Sequence, residues 1–159
     1  MTKTEWVNQL QLLPHPEGGF YKETYRGKLK IKVEGVGERN VSTGIYFLLE
    51  KENFSAFHRI KSDEMWHFYA GDALIVHMID GAGNYSKQKI GANISMGEQL
   101  QFVVPGGVWF ATEVEQGGDY ALVGCTVAFG FDFEDFELAN SSFINRFPRH
   151  KKIIQCLTR

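Results

Sequence analysis

The side chains best suited to chemistry lie in an aromatic segment from residue 57 to residue 71. His58 and Glu64 fall on two consecutive predicted strands joined by a short loop, so both side chains can reach one interior wall. A buried carboxylate beside an imidazole can fix its tautomer, hold a metal or form an acid–base pair. We therefore predict His58 and Glu64 as the catalytic pair; the alternative for each is a hydrogen-bonded core residue.

Two further histidines are candidates for binding substrate at the same site. Strict alternation puts His67 on the face opposite Glu64 unless a bulge intervenes in the strand. His77 is an isolated imidazole in the apolar run 74–79, where a satisfied position in the core or the wall of the sheet is the alternative.

Aromatic and loop residues complete the predicted substrate site. Trp109 and Phe110 follow a proline–glycine turn and would form an aromatic platform for a sugar or another planar ligand, with core packing as the alternative. His15 and Glu17 lie in the loop 14–19, from which they can approach a cavity of their own or a neighbouring subunit. As the alternative, the requirements of a tight turn alone explain the prolines, the glycines and Glu17 of this loop.

Short strands are the elements that must position these residues. Thirteen Phe, six Tyr and three Trp, with 17 Gly, suit half-buried strands and tight turns. Almost no helical pattern separates the strands, so we predict a sandwich or barrel. The predicted strands are 43–50, 55–60, 65–70, 73–79, 85–90, 100–104, 108–114 and 120–128.

The two ends of the chain have a different pattern. Residues 3–13 predict an amphipathic helix that begins with a Thr2–Glu5 capping box. The acidic aromatic stretch 131–137 is interpreted as surface structure with Phe anchors, and it leads into a predicted helix over 134–146. The basic tail 146–159 is predicted to form a solvated helix face or a dimer contact.

Charge and motifs exclude several classes of function. Seventeen basic and 19 acidic residues give a net charge of −2 over 159 residues, which favours neither nucleic acid nor an anionic membrane as a partner. No phosphate-binding loop, nucleophile elbow or complete dinucleotide motif occurs. Cys125 and Cys156 are predicted to be reduced thiols, and the N-terminus shows no secretory signal, so we expect a cytoplasmic protein.

The segment around the catalytic pair resembles the first motif of the cupin superfamily. His58, Glu64 and Gly71 occupy matching intervals, but Ile60 stands where a second histidine is usual. The second cupin motif has Phe110 in place of its histidine. Because neither Ile nor Phe can donate a lone pair, we predict that the protein uses no metal and no other cofactor.

The chain is most similar to a cupin family of unknown function, related by fold to the sugar-nucleotide epimerases of dTDP-rhamnose synthesis. The similar stretches are 13–21, 57–71 and 123–137. The resemblance implies an all-β jelly-roll barrel in a single domain with short helices at its ends, and a homodimer that shares strands. Within that domain, residues 1–41 would hold the first helix and the dimer-forming strands, 42–130 the barrel core and 131–159 the C-terminal helices.

Three functional hypotheses follow from the resemblance and the residues. The first is an isomerase or epimerase of a small polar molecule such as a sugar derivative, in which neutral His58 takes a proton next to a carbonyl and Glu64 orients it or donates in turn. The second is a non-catalytic protein that binds or senses a small molecule. The third is a metal enzyme with a remodelled ligand set of His58, Glu64 and His67 or His77.

Overall fold

The computed structural model describes residues 1–159 and consists mainly of antiparallel strands. Its three α-helices are α1 (Lys3–Leu10), α2 (Phe143–Arg146) and α3 (Lys151–Cys156), and none of them is long and apolar enough to cross a membrane. The thirteen strands are β1 (Leu13–Pro14), β2 (Phe20–Arg26), β3 (Lys30–Val33), β4 (Gly37–Asn40), β5 (Thr43–Glu50), β6 (Phe54–Arg59), β7 (Asp63–Gly71), β8 (Leu74–Ile79), β9 (Tyr85–Ile90), β10 (Gln101–Val104), β11 (Trp109–Val114), β12 (Tyr120–Ala128) and β13 (Glu137–Leu138).

Two sheets form the jelly roll that the sequence predicts. One has the strand order β1-β2-β5-β12-β7-β10 and the other β13-β6-β11-β8-β9, while β3 and β4 form a separate hairpin. Every strand predicted between residues 43 and 128 is present, with ends that differ by at most two residues. The agreement follows from the glycine-bearing turns, which mark where each short strand must stop.

Apolar side chains fill two large layers and a small third cluster of Leu12, Leu48 and Leu122. The inner layer lies between the sheets and includes Phe47, Trp66 and Phe110. The outer layer covers the back of the five-stranded sheet, where Trp109 packs with Phe143 and Ile154 of the C-terminal helices. Because alternate residues of a strand face opposite layers, neighbours such as Trp109 and Phe110 lie in different environments.

The first helix begins as predicted but ends earlier. Thr2 and Glu5 form the expected capping box, in which Thr2 Oγ1 accepts from the Glu5 amide and Glu5 accepts from the Thr2 amide. The helix stops at Leu10 because Gln11 adopts a left-handed conformation with φ of 57°. Leu12 is then free to pack against Leu48 and Leu122, and the chain enters β1.

The predicted helix over 134–146 is wrong. A single 3₁₀ turn over Phe133–Asp135 is followed by β13, whose Leu138 pairs with His58 of β6. Only residues 143–146 are α-helical. Pairing with β6 and the inward packing of aromatic side chains outweigh local helix propensity in this segment.

An open strand edge remains beside the N-terminal segment. The edge strand β1 contains two residues and pairs only with Phe20 and Tyr21 of β2, so the rest of β2 has no neighbour on that side. Such an edge can accept a strand from another chain. The expected homodimer with shared strands therefore stays a prediction.

Candidate functional site

A cavity of about 130 Å³ opens at one end of the barrel. Its apolar wall consists of Tyr21, Ile45, Ile60, Val127, Phe131, Phe133 and Phe136. Its polar groups include His15, Glu17, Glu23, Arg26, His58 and Glu64. The cavity therefore combines acids and imidazoles with a largely hydrophobic surface.

The N-terminal loop brings Glu17 into the cavity. Gly18 and Gly19 have φ values of 111° and 79°, and a Cβ on either would collide with a backbone carbonyl of β6 or β5. The glycines thus let the loop lie flat on the barrel. The Glu17 carbonyl accepts a hydrogen bond of 3.0 Å from the Ala56 amide, which locks the loop to β6.

His58 is held at both ring nitrogens. Its Nδ1 lies 2.7 Å from the Ala56 carbonyl, which can only accept, so Nδ1 carries a proton. Its Nε2 lies 3.1 Å from Glu17 Oε2. Since a neutral Nε2 without hydrogen and a carboxylate are both acceptors, one proton must lie between the two atoms. His58 and Glu17 therefore form a unit that holds a single proton.

Glu64 is a buried acid with no strong partner. It lies on the inner face of β7, one pleat from Trp66, and only 8% of its surface is exposed. No arginine, lysine or backbone amide bonds its carboxyl group; the neighbouring Cys125 thiol, a weak donor, bonds it instead. Because Glu64 also lines the cavity, its carboxyl group is available to a bound molecule.

Burial sets the protonation of the four central groups. Loss of solvent raises the pKa of Glu64 to about 7, an effect that nearby His58 opposes and Glu17 reinforces. Loss of solvent also raises the pKa of Glu17 to about 7, against the opposing effect of His15. The pKa values of His15 and His58 are lowered, mainly by burial. Near neutral pH both imidazoles are therefore uncharged, and the pKa of each acid is close to the pH of the solution.

Arg26 lies at the cavity but is already engaged. Its Nε and Nη2 donate to the Glu23 carboxylate at 2.9 and 2.7 Å. Its Nη1 donates to Asn40 Oδ1 and to the Phe131 carbonyl, both at 3.1 Å. The guanidinium thus links Glu23, Asn40 and the backbone of Phe131 at the rim of the cavity. Because Arg26 is engaged in this way, the cavity has no free cation.

Residues 131–138, which we call the C-terminal strap, close one side of the cavity. Asp135 in the strap is buried and forms a two-point ion pair with Arg39, with distances of 2.7 and 2.9 Å. Arg39 also lowers the pKa of Asp135 by bonding its ionised form. Phe136 of the strap lies over the His58 ring, with 5.3 Å between ring centroids.

Four of the predicted site residues, His15, Glu17, His58 and Glu64, line this one cavity. Phe110 lies directly behind it, where its ring packs 4.1 Å from that of His58 in the inner core. The structure thus brings together the residues from the N-terminal loop and the first half of the barrel.

The other three predicted residues lie elsewhere, so the expectation that His77 and Trp109 are within reach of the pair is wrong. Trp109 and His77 point to the outer face of the five-stranded sheet, where His77 bonds Tyr85 and Glu113 at 2.8 and 3.0 Å. His67 follows strict alternation to the outer face of β7 and bonds Thr126 and Gln101. Side-chain alternation along a strand accounts for all three positions.

Several residues of the cavity escaped the sequence analysis. Cys125 lies in the family-like stretch 123–137 but was predicted only as a reduced thiol, and nothing in the local pattern around Arg26 marks it as a site residue. The strap phenylalanines, Phe131, Phe133 and Phe136, were interpreted as surface anchors. Their repetition within a short acidic stretch was the available signal, because aromatic residues among carboxylates require an apolar partner surface.

The residues present do not fit the metal site that the cupin motifs usually form. Ile60, at the position of a motif histidine, contributes an apolar side chain to the cavity wall. No group of three His, Cys, Asp or Glu side chains is arranged to hold a metal ion. The acids and imidazoles of the cavity instead pair with one another.

The fold and the cavity at the barrel end are those of a cupin. Residues 4–139 match the family described as Cupin superfamily (DUF985), and the chain belongs to that family. It is 34% identical to the uncharacterised protein YML079W of Saccharomyces cerevisiae over 143 residues, which cover 81% of this chain and 71% of the yeast protein.

Two solved structures are similar over the whole chain. A hypothetical protein from Leishmania major has a TM-score of 0.95 and 37% identity, with 99% of both chains covered. Protein SO0799 from Shewanella oneidensis has a TM-score of 0.92 and 37% identity, with coverage of 100% of this chain and 98% of that protein.

Proposed function

We propose that this cupin is a metal-independent enzyme that moves a proton on a small carbonyl compound, as an isomerase or epimerase does. The observation that carries the proposal is the contact of 3.1 Å between His58 Nε2 and Glu17 Oε2, in a cavity that is also lined by Glu64, whose carboxyl has no charged partner. One side of the site holds a transferable proton, and the other offers a base. These are the two groups that isomerisation next to a carbonyl requires.

The geometry supports a different division of roles from the one expected from the sequence. His58 was expected to be the base, but both of its ring nitrogens are engaged. The carboxyl group of Glu64 is bonded only by the weak Cys125 donor and has a pKa of about 7, which suits a general base at neutral pH. Glu64 is therefore the proposed base, and the Glu17–His58 unit is the proposed acid.

The proposed step balances without a cofactor. The ionised Glu64 takes a proton from the carbon next to the carbonyl, and the electron pair of the broken C–H bond forms a carbon–carbon double bond. The carbonyl oxygen receives the proton held between Glu17 and His58, which gives an enol. To complete an isomerisation, Glu64 gives its proton to the former carbonyl carbon, while the hydroxyl on the carbon that lost the proton passes its own proton to the Glu17–His58 unit; a new carbonyl forms there and the site is restored. To complete an epimerisation, the enol turns its other face to Glu64, which returns its proton to the same carbon, and the enol hydroxyl returns its proton to the Glu17–His58 unit.

Exchange with deuterated water tests this proposal. We would incubate the protein with hydroxyacetone and dihydroxyacetone in D₂O and follow the C–H signals by NMR. Wild-type protein should incorporate deuterium, and Glu64→Gln should lower the rate by about 10²-fold or more. Glu34→Gln, in the exposed turn between β3 and β4, is the matched control. An unchanged rate in Glu64→Gln would overturn the proposed role of Glu64.

The same experiment addresses the non-catalytic alternative. The enclosed, mostly apolar cavity also suits a protein that only binds a small molecule. Such a protein would bind these compounds without deuterium incorporation. A sugar derivative of monosaccharide size could be the substrate of such an enzyme or the ligand of such a binding protein.

A further inference from the structure

Phe133 exposes an aromatic ring at the mouth of the cavity. It is 56% exposed, although Phe131 and Phe136 pack edge-to-face against it with centroid distances of 4.9 and 6.1 Å. Edge-to-face packing leaves ring faces open to a further aromatic group. The three phenylalanines all line the same cavity as Glu64 and His58. A planar apolar group bound there would cover surface that the protein itself leaves in water.

The charges around the cavity disfavour an anionic ligand. Glu17, Glu64 and Glu23 contribute three carboxyl groups, and the guanidinium of Arg26 is bonded to Glu23. A phosphate would meet two buried acids and find no free cation to bind it. This arrangement argues against nucleotide-linked or phosphorylated sugars.

The volume of the cavity sets a further limit. An apolar protein cavity of about 150 Å³ is enough for benzene. The cavity here measures about 130 Å³ and opens at the end of the barrel, where Phe133 is exposed. It can therefore take one ring together with a short polar group at the acids, and a nucleotide-linked sugar would be too large.

We propose that the substrate is an uncharged carbonyl compound with one aromatic ring, and that Phe131, Phe133 and Phe136 bind the ring. This inference rests on the proposed function, because it takes the carbonyl to lie between Glu64 and the Glu17–His58 unit. Phe136 lies 5.3 Å from the His58 ring, so a ring bound by the strap is adjacent to the acid–base groups. The strap thus determines which carbonyl compounds are accepted.

Three probes with the same reacting group test the inference. 2-Hydroxyacetophenone carries a ring, hydroxyacetone lacks it, and dihydroxyacetone phosphate carries a charge. In calorimetric titration, wild-type protein should bind 2-hydroxyacetophenone about tenfold more tightly than hydroxyacetone, and dihydroxyacetone phosphate most weakly. Phe133→Ala should reduce the preference for 2-hydroxyacetophenone over hydroxyacetone to about threefold or less. Because Phe133 is exposed, we expect the variant to fold. Tyr69→Ala, at a residue 52% exposed on the outer face of β7, is the matched control and should keep the full preference.

The outcomes separate this inference from the proposed function. Equal binding of the two uncharged probes, a preference that survives Phe133→Ala, or tightest binding of the phosphate would overturn the aromatic subsite. If deuterium exchange still occurs in that case, the proposed function stands without it. Tight binding of 2-hydroxyacetophenone that depends on Phe133, with no exchange of any probe, would retain the aromatic subsite and reject the proposed catalysis.

Discussion

Glu17 Oε2 and His58 Nε2 lie 3.1 Å apart, and because Nδ1 of His58 faces a carbonyl and carries the ring proton, this contact requires one proton between the two atoms. The backbone makes this pairing rigid, because the Ala56 amide bonds the Glu17 carbonyl while the Ala56 carbonyl accepts from His58 Nδ1. A single residue of β6 thus fixes both partners. The tautomer of His58 is determined by the fold before any ligand binds.

We expect ¹⁵N NMR to find His58 as the neutral Nδ1–H tautomer at pH 6.5, where an ordinary histidine is half charged. Burial lowers the pKa of His58, and the Ala56 carbonyl selects the tautomer. Glu17→Gln should keep this tautomer, because the amide can donate to Nε2, yet it should slow deuterium exchange by about 10²-fold. A charged His58 at pH 6.5, or full exchange in Glu17→Gln, would contradict the shared proton.

Glu64→Gln should stabilise the free protein at pH 8 and have little effect at pH 5. Folding raises the pKa of Glu64 from 4.5 to about 7, so the folded state binds this proton more tightly than the unfolded state. Stability therefore falls as pH rises through this window, and the ionised carboxylate costs up to about 3 kcal/mol above it. Urea denaturation of both proteins at the two pH values measures the difference. A pH-independent difference would argue against a raised pKa.

Loss of the buried ion pair should loosen the C-terminal strap. Asp135→Asn leaves Arg39 without its two-point partner, so we expect chymotrypsin to cleave near Phe133 about tenfold faster. Glu137→Gln is the control on the same strap. The Arg59–Glu137 pair is more exposed than the Arg39–Asp135 pair, so it contributes less to the stability of the strap. Arg39→Met combined with Asp135→Leu should recover part of the resistance. Equal cleavage of Asp135→Asn and Glu137→Gln would show that the ion pair does not hold the strap.

His77→Gln should lower stability without affecting the cavity. The variant weakens hydrogen bonds to Tyr85 and Glu113 on the outer face, which costs about 1 kcal/mol. Binding of 2-hydroxyacetophenone and deuterium exchange should equal those of the wild type, whereas His58→Gln should lose exchange. Slower deuterium exchange by His77→Gln, under conditions where the variant is fully folded, would show that His77 does belong to the site.

Removal of metal should not change activity. Untagged protein should contain well below one transition-metal ion per chain by elemental analysis, because Ile60 and Phe110 cannot act as ligands. Deuterium exchange should be the same before and after dialysis against a chelator. Stoichiometric metal whose removal abolishes exchange would instead support a remodelled ligand set.

Local patterns predicted the barrel well but the site only in part. Strand limits follow from turns and alternation, and alternation also put His67 on the outer face. The meeting of Glu17 with His58 depends on a loop folding back across β6, and no local pattern encodes that distance. The strap failed as a predicted helix for a related reason: its pairing with β6 and its ion pair to Arg39 are long-range contacts that outweigh local propensity.

The acid–base groups and the aromatic rings of the cavity come from separate parts of the chain. Glu17, His58 and Glu64 belong to the N-terminal loop and the barrel, whereas the rings belong to the strap. Substitutions at Phe131 or Phe133, neither of which packs against the His58 ring, can therefore alter the bound molecule while Glu17, His58 and Glu64 keep their geometry. Under the proposed function, relatives with a different strap would carry out the same proton transfer on other molecules, so that selectivity can evolve independently of catalysis.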